Sequence, residues 1–222
     1  MSTKIHPVEV IHYPDSDGKP MAENTLQYQW IVMVKENVEA IFEGDPNIFV
    51  AADNLIYALE GRPKEVKAPD VYVAFGRPKG HRGSYKVWKE GNIFPQVVFE
   101  ILSPGNSGRE MVDKRMFYER HGAEEFYMID PEYSTLEVWL RKGDRLVSQH
   151  VPKDFTSPRL GVRFRTDADE LMLFGPDGER FLTVPEIRKR ADREQSRADR
   201  EQSRADRLAA KLRALGIDPD TV

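Results

Sequence analysis

The run Val97-Val98-Phe99-Glu100-Ile101-Leu102, with Pro95 before it and Pro104 after it, constrains the fold more than any other stretch of the chain. A short block of Val, Phe, Ile and Leu between prolines predicts a buried β-strand. With a side-chain period of two, Val98, Glu100 and Leu102 share one face, and Val97, Phe99 and Ile101 share the other. Glu100 breaks the pattern. A carboxylate in such a strand costs on the order of several kcal/mol unless a cation, a metal ion or a proton compensates it. A structural salt bridge would satisfy Glu100, and so would a site that uses it.

The chain has 222 residues, enough for one good core and an appendage. Its hydrophobic content of 40% and charged content of 32% are those of a folded protein with a polar surface, and no apolar run is long enough to span a membrane. The N-terminal residues lack the apolar segment of a signal peptide, and there is no cysteine for disulfides, thiolate chemistry or Cys-based zinc sites. The expected setting is therefore the cytoplasm. A net charge of −4 gives no global attraction to nucleic acid, so any such binding must come from local patches.

Residues 1–20, with three prolines and a glycine, predict an extended arm. A helix is predicted over 24–43, from the capping residues around Asn24 and the helical spacing of Leu26, Trp30, Met33, Val34, Val38 and Ile41. Strands follow at 48–52, 55–59 and 70–75. A loop at 77–89 carries Arg77, Lys79, Arg82, Lys86 and Lys89 interleaved with Tyr85 and Trp88, which suits a phosphate backbone with a stacked base, or a solvated loop with Trp88 folded onto the core. After the central strand, Ser107-Gly108-Arg109-Glu110 has capping-box form and predicts a helix over 108–121, stopped by Gly122. A strand at 125–130, a hairpin from 135–140 and 146–151, and apolar clusters at 160–164 and 171–174 complete the domain, set at 21–184. From Pro185 the heptad Ala191-Asp192-Arg193-Glu194-Gln195-Ser196-Arg197 repeats at 198–204, predicting a solvated helical tail over 185–222 with a weak coiled-coil seam.

A second isolated acid, Asp70, opens a strand directly after Pro69. If the strands of Asp70 and Glu100 are neighbours, the two carboxylates converge on one Mg²⁺, an ion that wants oxygen ligands and leaves room for water and phosphate. Lys114, in the early turns of the following helix, can then turn back to that strand end and orient or deprotonate a water. The histidines show no metal-ligand spacing, the glycines near 105–108 lack a Gly-Lys-Ser/Thr ending, and Ser103 has no histidine partner. Together these argue against an organic cofactor, a nucleotide loop and a serine nucleophile.

The ordered motifs Pro69-Asp70, Glu100-Ile101-Leu102-Ser103-Pro104, residues 113–122 (Asp113 to Gly122) and residues 125–131 (Glu125 to Pro131) resemble a large bacterial family of restriction-endonuclease-like proteins, over roughly residues 20–185. Its members look like PD-(D/E)XK nucleases. The resemblance implies an α/β fold with a mixed central sheet flanked by helices, Asp70 and Glu100 as metal ligands, Mg²⁺ (or Mn²⁺) as the ion, and DNA as substrate. The lysine that the superfamily carries two residues after its second acid is Leu102 here, and Lys114 is its replacement. The superfamily's extra acid on the first helix would be Glu23 or Glu39, with Asp53 a further candidate. The function implied is endonucleolytic hydrolysis of phosphodiesters, by a homodimer if both strands are cut. The alternative is an inactive nuclease fold serving as a nucleic-acid- or protein-binding module, which the loss of lysine at 102 favours.

Overall fold

The structure is a computed structural model and describes residues 11–18, 20–151, 153–167, 170–215 and 218. Expectations for residues 1–10 lie outside the described residues. The chain divides into two compact units between Phe181 and Leu182.

The central strand pulls the first unit together because its apolar side chains need cover on both faces. In chain order the first unit contains α1 (Thr25–Ile41), β1 (Ile48–Ala52), β2 (Ile56–Tyr57), β3 (Val66–Lys67), β4 (Val71–Phe75), β5 (Tyr85–Lys86), β6 (Val97–Ile101) and α2 (Gly108–His121). It continues with β7 (Glu125–Asp130), β8 (Thr135–Lys142), β9 (Arg145–Gln149), β10 (Asp154–Thr156), β11 (Arg163–Asp167) and β12 (Glu170–Phe174). A six-stranded mixed sheet runs β1-β4-β6-β7-β8-β9, with β6, all five residues buried, inside it. All its pairings are antiparallel except β6 with β7. That one parallel step needs a crossover, and α2 is the crossover.

The faces of the sheet follow the period of two. Val97, Phe99 and Ile101 pack with Ile31, Val34 and Val38 of α1 and with Phe164 and Leu173 of the β10-β11-β12 sheet. Val98 looks the other way, into a cluster with Phe117, Tyr118, Phe126 and Tyr72. Asn24 caps α1 by accepting a hydrogen bond from Gln27 N at 2.8 Å. Ser107 caps α2 in the same way through Glu110 N at 3.2 Å, and Gly122 ends it at φ +110°, a conformation that glycine adopts without strain.

Three segments differ from expectation. The strand expected at 55–59 shrinks to Ile56–Tyr57 and leaves the main sheet for a small one, β3-β2-β5, because its partners are themselves two-residue strands between turns. The basic loop at 77–89 is partly built, containing β5 and a 3-10 helix at Val87–Lys89. Trp88 is half-buried against the ring of Tyr13 (centroids 5.0 Å apart), and that tyrosine also packs edge-on to Tyr57. The third segment is 160–164, where β11 begins only at Arg163 because Gly161 turns the chain, its N–H donating to Ser157 O at 2.9 Å.

The second unit is α3 (Val184–Ala214), which has no buried residue. Glu186 accepts a hydrogen bond from Thr183 N at its start, and the pairs Arg190–Glu194 (3.1 Å) and Arg197–Glu201 (3.0 Å) repeat along it. Such exposed i,i+4 pairs each add about 0.3–0.5 kcal/mol at most.

A second buried acid ties the six-stranded sheet to the turn between β10 and β11. Glu125, 2% exposed, accepts from the hydroxyls of Tyr127 (2.6 Å) and Ser157 (2.5 Å) and from Arg159 N (2.7 Å). Glu125→Ala strands all three donors, and at about 1–3 kcal/mol for each unsatisfied buried group it should lower the unfolding free energy by about 3 kcal/mol or more, measured by urea titration.

Candidate active site

The register of the sheet decides which acids meet. Val71 pairs with Phe99 across the antiparallel β4–β6 ladder, so Asp70 stands one step beyond, at the level of Glu100. Asp70 Oδ2 accepts from Ile101 N at 2.6 Å, which fixes its carboxylate against the end of β6. Glu100, on the α2 face, is 1% exposed. Its Oε2 takes Lys114 Nζ at 2.7 Å and its Oε1 takes the Tyr118 hydroxyl at 2.5 Å. Lys114 and Tyr118 are one helical turn apart, so α2 offers both to the same carboxylate. Lys114 Nζ also donates to Ala68 O at 3.2 Å, one step from Pro69-Asp70.

A cavity of about 270 Å³ opens beside this group, lined by Asp53, Asp70, Glu110, Lys67 and Lys114 together with Asp17 and Glu23 from the segment before α1. Asp53 has φ +48°, in the left-handed region that Asp adopts more readily than most residues, and its N–H is turned onto the carbonyls of Pro69 and Asp70 (3.2 and 3.3 Å). Glu23 is held from two sides. Its carboxylate accepts from Ser103 Oγ at 2.6 Å, and its N–H donates to Gln27 Oε1 at 2.8 Å. Gly105 makes this seat possible, since a Cβ there would occupy the space of the Glu23 carboxylate. Gln27, 5% exposed, passes the connection on to Ile101 O at 2.8 Å.

The electrostatics are those of buried carboxylates gathered around the Lys114 ammonium, with Lys67 also on the cavity wall. Burial pushes Asp70 well above the usual carboxylate range, and the charge of Glu100 adds to the rise, while Lys114 and the Ile101 N–H oppose it. Burial also raises Glu100, against the pull of Lys114 and Tyr118. For Asp53, burial and then Asp17 act upward. Burial alone would discharge Lys114, but Glu100 and Asp70 outweigh it and hold the ammonium above the ordinary lysine value. Tyr118 is kept protonated by burial and by the same acids, so it remains a donor.

The structure thus brings Asp70, Glu100 and Lys114 together, with Asp53 and Glu23 on the cavity that Asp70 and Lys114 line. Glu39 is elsewhere, near the far end of α1 in an ion pair with Lys35. Leu102 lines a different cavity, beyond α2. The basic loop spends most of its charge internally. Arg77 and Arg82 both bind Glu90 (3.1 and 2.7 Å), and Lys79 Nζ sits on the carbonyls of Phe42 and Glu43 (2.7 and 2.8 Å). Lys86 Nζ lies over the Tyr13 ring at 5.7 Å. Tyr118, Glu110, Asp17 and Gln27 were not singled out from the sequence; for Tyr118 the signal was its i,i+4 spacing from Lys114.

Compared with known proteins, residues 21–168 match the sequence profile of Uma2, described as "putative restriction endonuclease". The chain belongs to that family. Among solved structures, it is similar to the crystal structure of a putative nuclease of the DUF820 group from Anabaena variabilis. That match has 16% identity, covers 63% of this chain and 74% of the other, and has a TM-score of 0.46. No protein with a curated description matches.

The raised pKa of Asp70 has a consequence for this Uma2 protein. A carboxyl whose folded pKa lies above its unfolded value near 3.8 binds its proton more tightly when folded. Its stabilising contribution is complete below that value and is lost as pH rises through the folded pKa. Asp70→Asn, in metal-free buffer, should therefore melt near wild type at pH 3.5. It should melt progressively higher than wild type as pH rises towards 8, by about 2–4 °C for each kcal/mol relieved. A difference in thermal midpoint that does not change with pH would count against the assigned shift.

Proposed function

We propose that this protein is a Mg²⁺-dependent endonuclease hydrolysing phosphodiester bonds in DNA, with Asp70 and Glu100 as the metal-binding acids and Lys114 beside the attacking water. The observation that carries the reading is the meeting of Asp70 and Glu100 at one level of the sheet with the Lys114 ammonium on Glu100.

Among the described residues no group of three or more His, Cys, Asp or Glu is placed to hold a metal. The donor set nonetheless fits a hard cation, because Mg²⁺ is commonly held by only one or two carboxylates with water completing the shell. Asp70 and Glu100 would supply those oxygens, Asp70 from the cavity wall it shares with Asp53 and Glu23 and Glu100 from behind Lys114. Burial and, after it, the charge of Glu100 raise Asp70, and a divalent cation would offset both. Bound there, Mg²⁺ or Mn²⁺ would polarise the phosphodiester and acidify a water. The side chains of the protein have separate tasks. Lys114, held charged by two acids, orients water and offsets the charge that develops on the phosphorane-like oxygens; its raised pKa makes it a poor base at neutral pH. Tyr118 fixes the rotamer of Glu100 through the hydroxyl hydrogen bond. Glu23 is set by Gly105 and Ser103 at the rim.

The test is incubation with plasmid, linear duplex and single-stranded DNA, with Mg²⁺, Mn²⁺ or EDTA. Cleavage should need the metal, and Asp70→Ala, Glu100→Ala and Lys114→Ala should each lower kcat by about a hundred-fold or more. Gly105→Ala should displace Glu23 and slow cleavage with an unchanged thermal midpoint, since only the end of a flexible side chain must move. The engagement of both Glu100 oxygens by Lys114 and Tyr118 favours the second reading, an inactive binding module. DNA bound without metal and never cut would establish it.

The proposal includes a two-fold dimer, so that two sites can address two strands. Its support is the exposed stripe of Ala191, Ala198, Ala205, Leu208 and Leu215 along one side of α3. Sedimentation of the whole chain should show a dimer that Leu208→Glu with Leu215→Glu dissociates.

A further inference from the structure

A second cavity, of about 400 Å³, lies on the other flank of α2, within the size range of small-ligand sites. The first turns of α2 form the wall between the two: Glu110 and Lys114 line the acidic cavity, while Met111, Val112 and Arg115 line this one. The loop after β6 joins them, and Asn106 lines both.

The second cavity has a different chemistry. Phe126 of β7 and Trp139 of β8 are directly paired across the ladder, their ring centroids 5.2 Å apart, and Met128 extends the apolar wall. The Arg115 guanidinium lies 5.9 Å from the Trp139 ring. Glu137, exposed on β8, supplies an acceptor at the mouth. Phe126 is buried, so the half-buried Trp139 ring and Met128 form the open surface. With the Arg115 guanidinium (3.8 Å from Glu119) and the Glu137 carboxylate at its edge, this surface matches a heteroaromatic ring with both donors and acceptors on its rim. Arg pairs with the acceptor edge of a purine, Glu with an exocyclic amino group, and the face stacks on an aromatic side chain.

We propose that this cavity takes an unpaired nucleobase from the same strand whose phosphodiester lies at Asp70 and Glu100. The inference rests on the nuclease reading and adds to it a substrate class, strands that are single or locally unpaired beside the cut. A base in a duplex is stacked and paired, so reaching this cavity costs unpairing energy that a single strand, bulge or mismatch has already met. Trp139 and Arg115 are then specificity residues, remote from the reacting bond.

The experiment uses the whole protein and single-stranded DNA oligonucleotides in which an abasic position is moved along the sequence, with binding measured in EDTA and cleavage measured in Mg²⁺ or Mn²⁺. One abasic position should weaken binding about ten-fold, the loss expected for one stacked base. Trp139→Leu should weaken the intact strand by the same factor and show no further loss with that abasic strand. Val112→Trp, which plugs the mouth from an exposed helix position, should do the same without disturbing the core, and thermal melts check both folds. If strands are bound or cut but every abasic position and both variants behave as the intact pair does, this inference falls and the nuclease reading stands. If no strand is bound or cut under any condition, both fall together. If Val112→Trp instead changes the sedimentation of the protein alone, the surface is a contact between copies and the inference is overturned.

Discussion

The ion pair between Glu100 and Lys114 sets the position of α2 on the sheet, and much of the molecule follows from it. Glu100 lies in a strand with no exposed residue, and its two oxygens are matched by one ammonium and one phenol from the same helix. Because Lys114 and Tyr118 must both reach it, the rotation of α2 is fixed. Phe117 then meets Phe94 and His121 in the adjoining aromatic cluster. Arg115 and Met111 are turned to the opposite flank, where the second cavity lies. Buried ion pairs of this kind rarely hold a fold more firmly than apolar side chains of the same volume would. Their presence in a core strand is therefore better explained by a charge that the protein uses than by stability.

Glu125 shows what a purely structural acid looks like in the same sheet. It opens β7, opposite Val97 of β6, three positions along the ladder from the level of Glu100. Its partners are two hydroxyls and a backbone N–H, with no ion pair to the carboxylate among the described residues, and they join β7 to the turn after β10. Glu100 differs in having an ammonium partner that itself lines a cavity with five further acids, Asp17, Glu23, Asp53, Asp70 and Glu110. Burial is common to the two residues. The contrast is in what lies on the far side of the partner, packed protein for one and open space for the other.

The sequence made Glu100 legible because an acid in an unbroken apolar run has few explanations, and Asp70 because it follows Pro69 where a strand begins. The two helices of the first unit were legible through their caps, and the hairpin through its spacing. The rest depended on partners distant in the chain. Glu125 gave no signal, since Ser157 and Arg159 are brought to it only by the second sheet. Glu23 and Glu39 looked equivalent in sequence, yet at 1.5 Å per residue they are separated by about 24 Å along the direction of α1, so both could not serve one site. The 77–89 loop was correctly seen as basic, but Glu90, just past its end, binds two of its arginines. Despite burial, which alone would raise it, Arg82 and Arg77 hold Glu90 below the ordinary glutamate range. Charge counting sees the cations and misses where they point.

That internal neutralisation bears on how a polyanion approaches. The acidic cavity carries Asp17, Glu23, Asp53, Asp70 and Glu110 against the two ammonium groups of Lys67 and Lys114, and the basic loop at 77–89 is largely spent on Glu90 and on the end of α1. In a pocket of that sign a phosphodiester is repelled until positive charge is supplied. If the proposed function holds, binding of the nucleic acid and of a cation at this site would be coupled, each strengthening the other by the same factor. In the proposed arrangement the second cavity would remove part of that difficulty, because stacking and a guanidinium would hold a base without asking the acids to accept a phosphate first. A protein of net negative charge would then recruit a strand through its bases and admit the phosphate only once the acids are compensated, with selection of the substrate coming before commitment to the cut.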